Sequence, residues 1–98
     1  MDILYLIPRQ DFSEVEQFLL KDDLVSRQSL VFRTAGNYGF KEDAILVKIS
    51  GSDEGVERAK ELIGGKGKPV EGAERERVLN QIKDEEDAVA QGFGNIFE

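Results

Sequence analysis

Leu30-Val31-Phe32-Arg33-Thr34-Ala35, then Gly36-Asn37-Tyr38-Gly39, then Ala44-Ile45-Leu46-Val47-Lys48-Ile49-Ser50 is the stretch that decides the fold. Leu30, Phe32 and Thr34 alternate with Val31, Arg33 and Ala35, as a pleated strand requires. The Gly-Asn-Tyr-Gly segment carries turn chemistry. Ile45, Val47 and Ile49 lie on one face of the second run, and Ala44, Leu46 and Lys48 on the other. The two runs therefore predict a hairpin. Working outward, Ile3 to Ile7 is an unbroken apolar run closed by Pro8, the mark of a strand buried on both faces. Phe12, Val15, Phe18 and Leu19 follow at helical spacing, predicting a helix over about residues 12–21 with Asp11 or Ser13 as its cap. Beyond the hairpin, Gly51 and Ser52 open a second helix whose inward stripe is Val56, Ala59, Leu62 and Ile63, ended by Gly64-Gly65.

The order is βαββα, and a right-handed crossover inserts the third strand between the first two with both helices on one face. This α+β pattern resembles a ferredoxin-like two-layer sandwich that lacks its last strand. Two demands follow. The first strand becomes an uncovered edge, and an Ile-Leu-Tyr-Leu-Ile edge is an aggregation hazard unless something pairs with it. The sheet face opposite the helices also keeps apolar residues, among them Leu46 and Val31.

Residues 1–72 form this core domain, with Lys66 to Gly72 read as a linker. Residues 73–98 form an acidic C-terminal segment: an additional helix from Ala73 to about Gln91, broken by Gly92 and Gly94, then a possible short strand at Asn95-Ile96-Phe97. Its apolar stripe, Val78, Leu79, Ile82 and Val89, is narrow, so that helix needs packing to persist. A homodimer in which tail and sheet pack across a two-fold axis meets all of these demands, with Tyr5, Val31, Leu46, Val78, Ile82, Val89, Phe93, Ile96 and Phe97 as candidate interface residues. The alternative is a tail folded onto its own sheet.

Charge narrows the partners. The net charge is −7, with −3 in residues 1–72 and −4 in the shorter tail, so a basic stripe for nucleic acid or an anionic membrane is missing. No apolar stretch approaches the ~20 residues of a membrane span, and the first strand lacks the pattern of a leader peptide. With no Cys, nothing points to a disulfide scaffold, and a cytoplasmic location is the expectation. Charged residues at 34%, with Cys, His and Trp absent, are compatible with a thermophilic source.

Catalytic and cofactor motifs are sparse. Without His or Cys, the commonest general base, a major nucleophile and the usual zinc ligands are missing. The carboxylate pairs Asp22/Asp23, Glu42/Asp43 and Asp53/Glu54 are sequence neighbours whose side chains diverge, and each reads better as a cap or a solvated loop. Ser50-Gly51-Ser52-Asp53-Glu54-Gly55 lies where a phosphate loop would sit, but it lacks the Lys and the glycine spacing, and its acids repel an anion. Asp87, Gly92 and Glu98 fall on positions 1, 6 and 12 of a calcium loop, whose third position is the non-ligating Val89. No cofactor and no metal are expected. Ile45–Ile49, Val56, Ala59, Ile63 and Gly64-Gly65-Lys66-Gly67 resemble the strand, helix and G-x-x-G loop of a KH domain over about 25 residues, which would imply RNA binding; the charge opposes it. Tyr38 and Phe40 are expected to fold back over the hairpin. The reading is a small non-enzymatic interaction module acting as a homodimer. Its first rival is a regulatory domain that binds a small ligand between two ferredoxin-like subunits, and behind that stand a KH-like RNA binder and a carboxylate- or metal-dependent enzyme.

Overall fold

Ile3, Leu4, Leu6 and Ile7 are buried along strand β1 (Asp2–Pro8), two on each face, so the apolar run does mark a strand covered on both sides. In the computed structural model the backbone is described for residues 1–96 and the side chains for residues 1–88. Helix α1 (Arg9–Lys21) starts directly after Pro8 without a side-chain cap, so neither Asp11 nor Ser13 plays the expected role. Strand β2 (Ser29–Thr34), strand β3 (Ala44–Ser50) and helix α2 (Asp53–Ile63) follow, the last capped by Ser52, whose hydroxyl accepts from the Gly55 N–H at 3.1 Å. Strand β4 (Lys68–Pro69) and helix α3 (Gly72–Ile96) complete the chain.

The molecule is α+β, with a four-stranded antiparallel sheet in the order β2-β3-β1-β4. β3 does lie between β1 and β2. One face carries α1 and α2 over a core of Ile3, Ile7, Val15, Leu19, Val25, Val47, Ile49, Val56, Ala59 and Ile63. Of the inward stripe expected on α2, Val56, Ala59 and Ile63 are buried, whereas Leu62, like Phe32 of β2, lies at the rim and is half-buried.

Three expectations are corrected. β1 is not an uncovered edge. The supposed linker contains β4, which pairs Tyr5 with Pro69 and Leu6 with Lys68, while the Val70 N–H donates to the Leu4 carbonyl at 2.9 Å. Gly67 permits this return: a Cβ there would lie 2.7 Å from Ile63 and 3.1 Å from Ile7. The Gly64–Gly67 loop thus leads into a strand, not into the helix that a KH arrangement needs. Second, the other sheet face is not open. α3 lies on it, and Val78 and Ile82 join Leu4, Leu6, Ala35, Tyr38, Ala44, Leu46 and Val70 in a second core. Third, Gly92 and Gly94 do not end the helix; α3 continues through Asn95 and Ile96, where a short strand was expected, and Phe97 lies outside the described residues.

Asp22, the first of the acidic pair after α1, has a structural task. Asp22 accepts from the Leu24 and Val25 N–H groups at 3.1 and 3.0 Å, capping a single 3-10 turn, and from Arg58 of α2 at 2.9 Å. The Val25 N–H first, and Arg58 second, hold its carboxyl below the ordinary value near 3.8. A depressed carboxylate contributes stability that is present above the unfolded pKa and is lost as pH falls through the folded one. Unfolding midpoints measured from about pH 7 down to about pH 2.5 should therefore drop below about pH 4, the unfolded Asp value. Asp22→Asn should flatten that fall; an unchanged acid profile would mean that this cap does not contribute.

Candidate interaction edge

Hydrogen-bond parity along the sheet shows which backbone groups are left over. Leu4 and Leu6 face β4, so Ile3, Tyr5 and Ile7 exchange bonds with Ile49, Val47 and Ile45 of β3. The Met1–Gly51 pair, bonded both ways at 3.1 and 3.2 Å, continues the same alternation. The intervening β3 residues, Leu46, Lys48 and Ser50, therefore face β2 and bond Arg33, Val31 and Ser29. Leu30 and Phe32 point their backbone groups away from the sheet, as does the Thr34 N–H, while the Thr34 carbonyl opens the 3-10 turn Ala35–Tyr38.

The two sheet edges are treated differently. On the β4 side, the Asp2 carbonyl accepts from Arg75 at 2.9 Å, Leu4 is bonded to Val70, Leu6 pairs with Lys68, and Pro8 has no N–H. β4 itself is two residues long and contains Pro69, a blunted edge. On the other side, β2 runs six residues, and no proline interrupts it. Among the described residues it is the long open edge.

Arg33 lies across that edge. Its Nη1 donates to the Phe32 carbonyl at 3.0 Å, and its Nε lies 3.7 Å from Glu85 Oε2 on α3. Glu85 is itself fixed, because the Tyr38 hydroxyl donates to both its oxygens at 2.7 and 2.8 Å. Burial, and then this bond, push the Tyr38 phenol above its ordinary value. Arg77 adds a bond to the Tyr38 carbonyl at 2.7 Å and sits 5.8 Å from the Phe40 ring centroid. Tyr38 and Phe40 thus do fold back over the hairpin, and they tie α3 to it.

The flank beside the edge is apolar. Phe12 of α1 meets Phe32 edge-on at 5.3 Å between centroids, and Phe12, Glu16, Phe32, Arg33, Thr34 and Ile45 line a shallow groove there. Leu20 stands one turn beyond Glu16 on the same flank and is 52% exposed.

The candidate interface residues are distributed otherwise than expected. Leu46, Val78 and Ile82 are buried within the chain, between sheet and α3. Tyr5 is half-buried against the α1/α2 core and Val31 against the α3 core. The side chains of Val89, Phe93, Ile96 and Phe97 lie outside the described residues. The signal for the β2 edge was the expected order itself, which sets β3 between β1 and β2 and leaves β2 outermost, although β1 was the strand expected to lie uncovered.

Elsewhere, a cleft of about 290 Å³ at the Pro8 end of the sheet is lined by Glu42, Asp43, Lys66 and Lys68 among others. Its charges are not aimed at one point: Asp43 pairs with Arg9 at 2.7 Å and Lys66 with Glu14 at 2.9 Å. Among the described residues, no group of three or more acidic side chains is placed to hold a metal, and no helix is long and apolar enough to cross a membrane. Comparison with known proteins gives no match to this chain, whether to a family model, a curated protein or a solved structure.

Proposed function

We propose that this chain is a non-enzymatic interaction module of ferredoxin-like architecture that works as a homodimer joined edge to edge through β2. The strand order, with β1 and β3 central and both crossover helices on one face, supports the ferredoxin-like reading, α3 being an addition to it. The observation that carries the dimer is the asymmetry of the edges: one is closed by Pro69 and Arg75, the other keeps the outward groups of Leu30, Phe32 and Thr34.

Those groups are self-complementary. With Phe32 opposite its own copy across a two-fold axis, Phe32 bonds Phe32, and the Thr34 N–H meets the Leu30 carbonyl. Arg33 then stands opposite Val31, so like charges do not meet face to face. A second copy suits the edge better than a bare extended peptide does. It brings its own α1 alongside and covers Leu20, which a single added strand would leave in water.

Thr34→Pro tests this directly. Thr34 has φ −72° and ψ 122°, which proline adopts without strain, and its N–H is one that the sheet does not use. At concentrations low enough for both proteins to be monomeric, the substitution should leave the melting temperature unchanged or slightly higher, yet it should weaken self-association by about ten-fold or more, since it removes two of the inter-copy bonds. Light scattering coupled to size exclusion reads both proteins. An intact chain that stays monomeric at hundreds of micromolar, or a dimer indifferent to Thr34→Pro, would sink the proposal. The rival regulatory reading places a small ligand at the same junction, and it would appear as dimerisation that depends on an added metabolite.

A further inference from the structure

We propose that Arg33 guards the β2 edge, so that association requires its guanidinium to release the Phe32 carbonyl and retire to Glu85. This rests on the edge-to-edge reading above and adds its regulation. The Phe32 carbonyl is the central acceptor of the two-fold register, the atom that the Phe32 N–H of the second copy must reach. Arg33 Nη1 occupies it at 3.0 Å. A charged donor on a carbonyl is a stronger bond than the neutral N–H that would replace it, so the closed edge competes with the paired one.

The place of retreat is already built. Glu85 stands 3.7 Å from Arg33 Nε, held by the Tyr38 hydroxyl on a helix that Val78 and Ile82 anchor to the sheet. The guanidinium therefore does not have to find a new partner in water; it moves along the edge toward a carboxylate fixed beside it. The opposite edge is blunted permanently, by a proline and a two-residue strand. The β2 edge is blunted by a side chain that can swing. One edge is closed by backbone chemistry and the other by a movable charge, which makes self-association conditional and not constitutive.

The test is sedimentation equilibrium of the full chain over a wide concentration range, comparing wild type, Arg33→Ala, Arg33→Gln, Thr34→Pro and the double variant Arg33→Ala/Thr34→Pro. Arg33→Gln keeps most of the stem and serves if the alanine variant is poorly folded by circular dichroism. Removing the guard should lower the dimer dissociation constant by about ten-fold or more, because two charge-assisted bonds per dimer no longer have to be released. Adding Thr34→Pro should restore the monomer. If Arg33 variants leave the dissociation constant unchanged while Thr34→Pro abolishes the dimer, the edge reading stands and the guard is refuted. If Arg33 variants associate but Thr34→Pro does not reverse it, the association is not through β2, and both ideas fail. Both also fail if the wild type does not associate at hundreds of micromolar.

Discussion

Ile82→Ala should lower the unfolding free energy by about 2–5 kcal/mol, the range for emptying a fully buried aliphatic site. Ile82 is 1% exposed and packs with Leu4, Leu6, Tyr38, Leu46, Val70 and Val78 between the sheet and α3. Total stabilities of domains this size are of order 5–15 kcal/mol, so one such loss is a large share of the whole. The control is Leu20→Ala, which removes an exposed side chain from α1 and should stay within about half a kcal/mol in the monomer. Urea denaturation at low protein concentration measures both. A loss below about 1 kcal/mol at Ile82, under the buried range, would mean that α3 does not pack on the sheet in solution. A chain ending at Gly72 carries the same logic further. It exposes Leu4, Leu6, Ala44 and Leu46 together, and it should aggregate or fail to fold.

Gly55→Ala should destabilise the protein by about 1–3 kcal/mol and should reverse sign when Gln28 is removed. Gly55 is in the first turn of α2, where alanine is ordinarily the better residue by about 0.5–1 kcal/mol. Here a Cβ would lie 2.4 Å from both the Cδ and the Nε2 of Gln28. That amide cannot simply step aside. Its Oε1 accepts from the Ser52 N–H at 3.0 Å, and its Nε2 donates to the Leu24 carbonyl at 2.9 Å, joining the turn after α1 to the start of α2. Making room breaks one or both bonds, each worth about 0.5–1.5 kcal/mol. In a Gln28→Ala background the obstruction is gone, and Gly55→Ala should then be neutral or stabilising through helix propensity. Thermal or urea unfolding of the four proteins completes the double-mutant cycle. Additive effects would show that Gln28 and Gly55 do not constrain one another.

Much of the architecture was legible in local pattern. The period-two runs at 30–34 and 44–50, the apolar run closed by Pro8, and the helical stripe of Val56, Ala59 and Ile63 each state their own element, because side-chain alternation is a property of a few adjacent residues. The order of β1, β3 and β2 followed from crossover handedness, and the start of α2 from Gly51-Ser52, although it is Ser52 and not the acids after it that supplies the cap. β4 was not legible. Two residues carry no periodicity, and Lys-Pro reads as linker until Gly67 brings it within hydrogen-bonding reach of Leu4 and Leu6. The fate of the sheet's second face was not legible either. Val31, Leu46, Val78 and Ile82 announce that something apolar must be covered, but the same stripe can be buried by a neighbouring copy or by its own chain. The choice rests on reach: the short return through Val70 starts α3 against Asp2, and Arg75, Arg77, Gln81 and Glu85 then find their partners on Asp2, Tyr38 and Asn37 of the same chain. The β2 edge divides the same way. The order that sets β3 between β1 and β2 leaves β2 outermost, which local pattern and crossover handedness already imply, whereas only the pairing of β4 with β1 closes the opposite edge and leaves β2 as the long open one, because that pairing depends on a two-residue return with no pattern of its own.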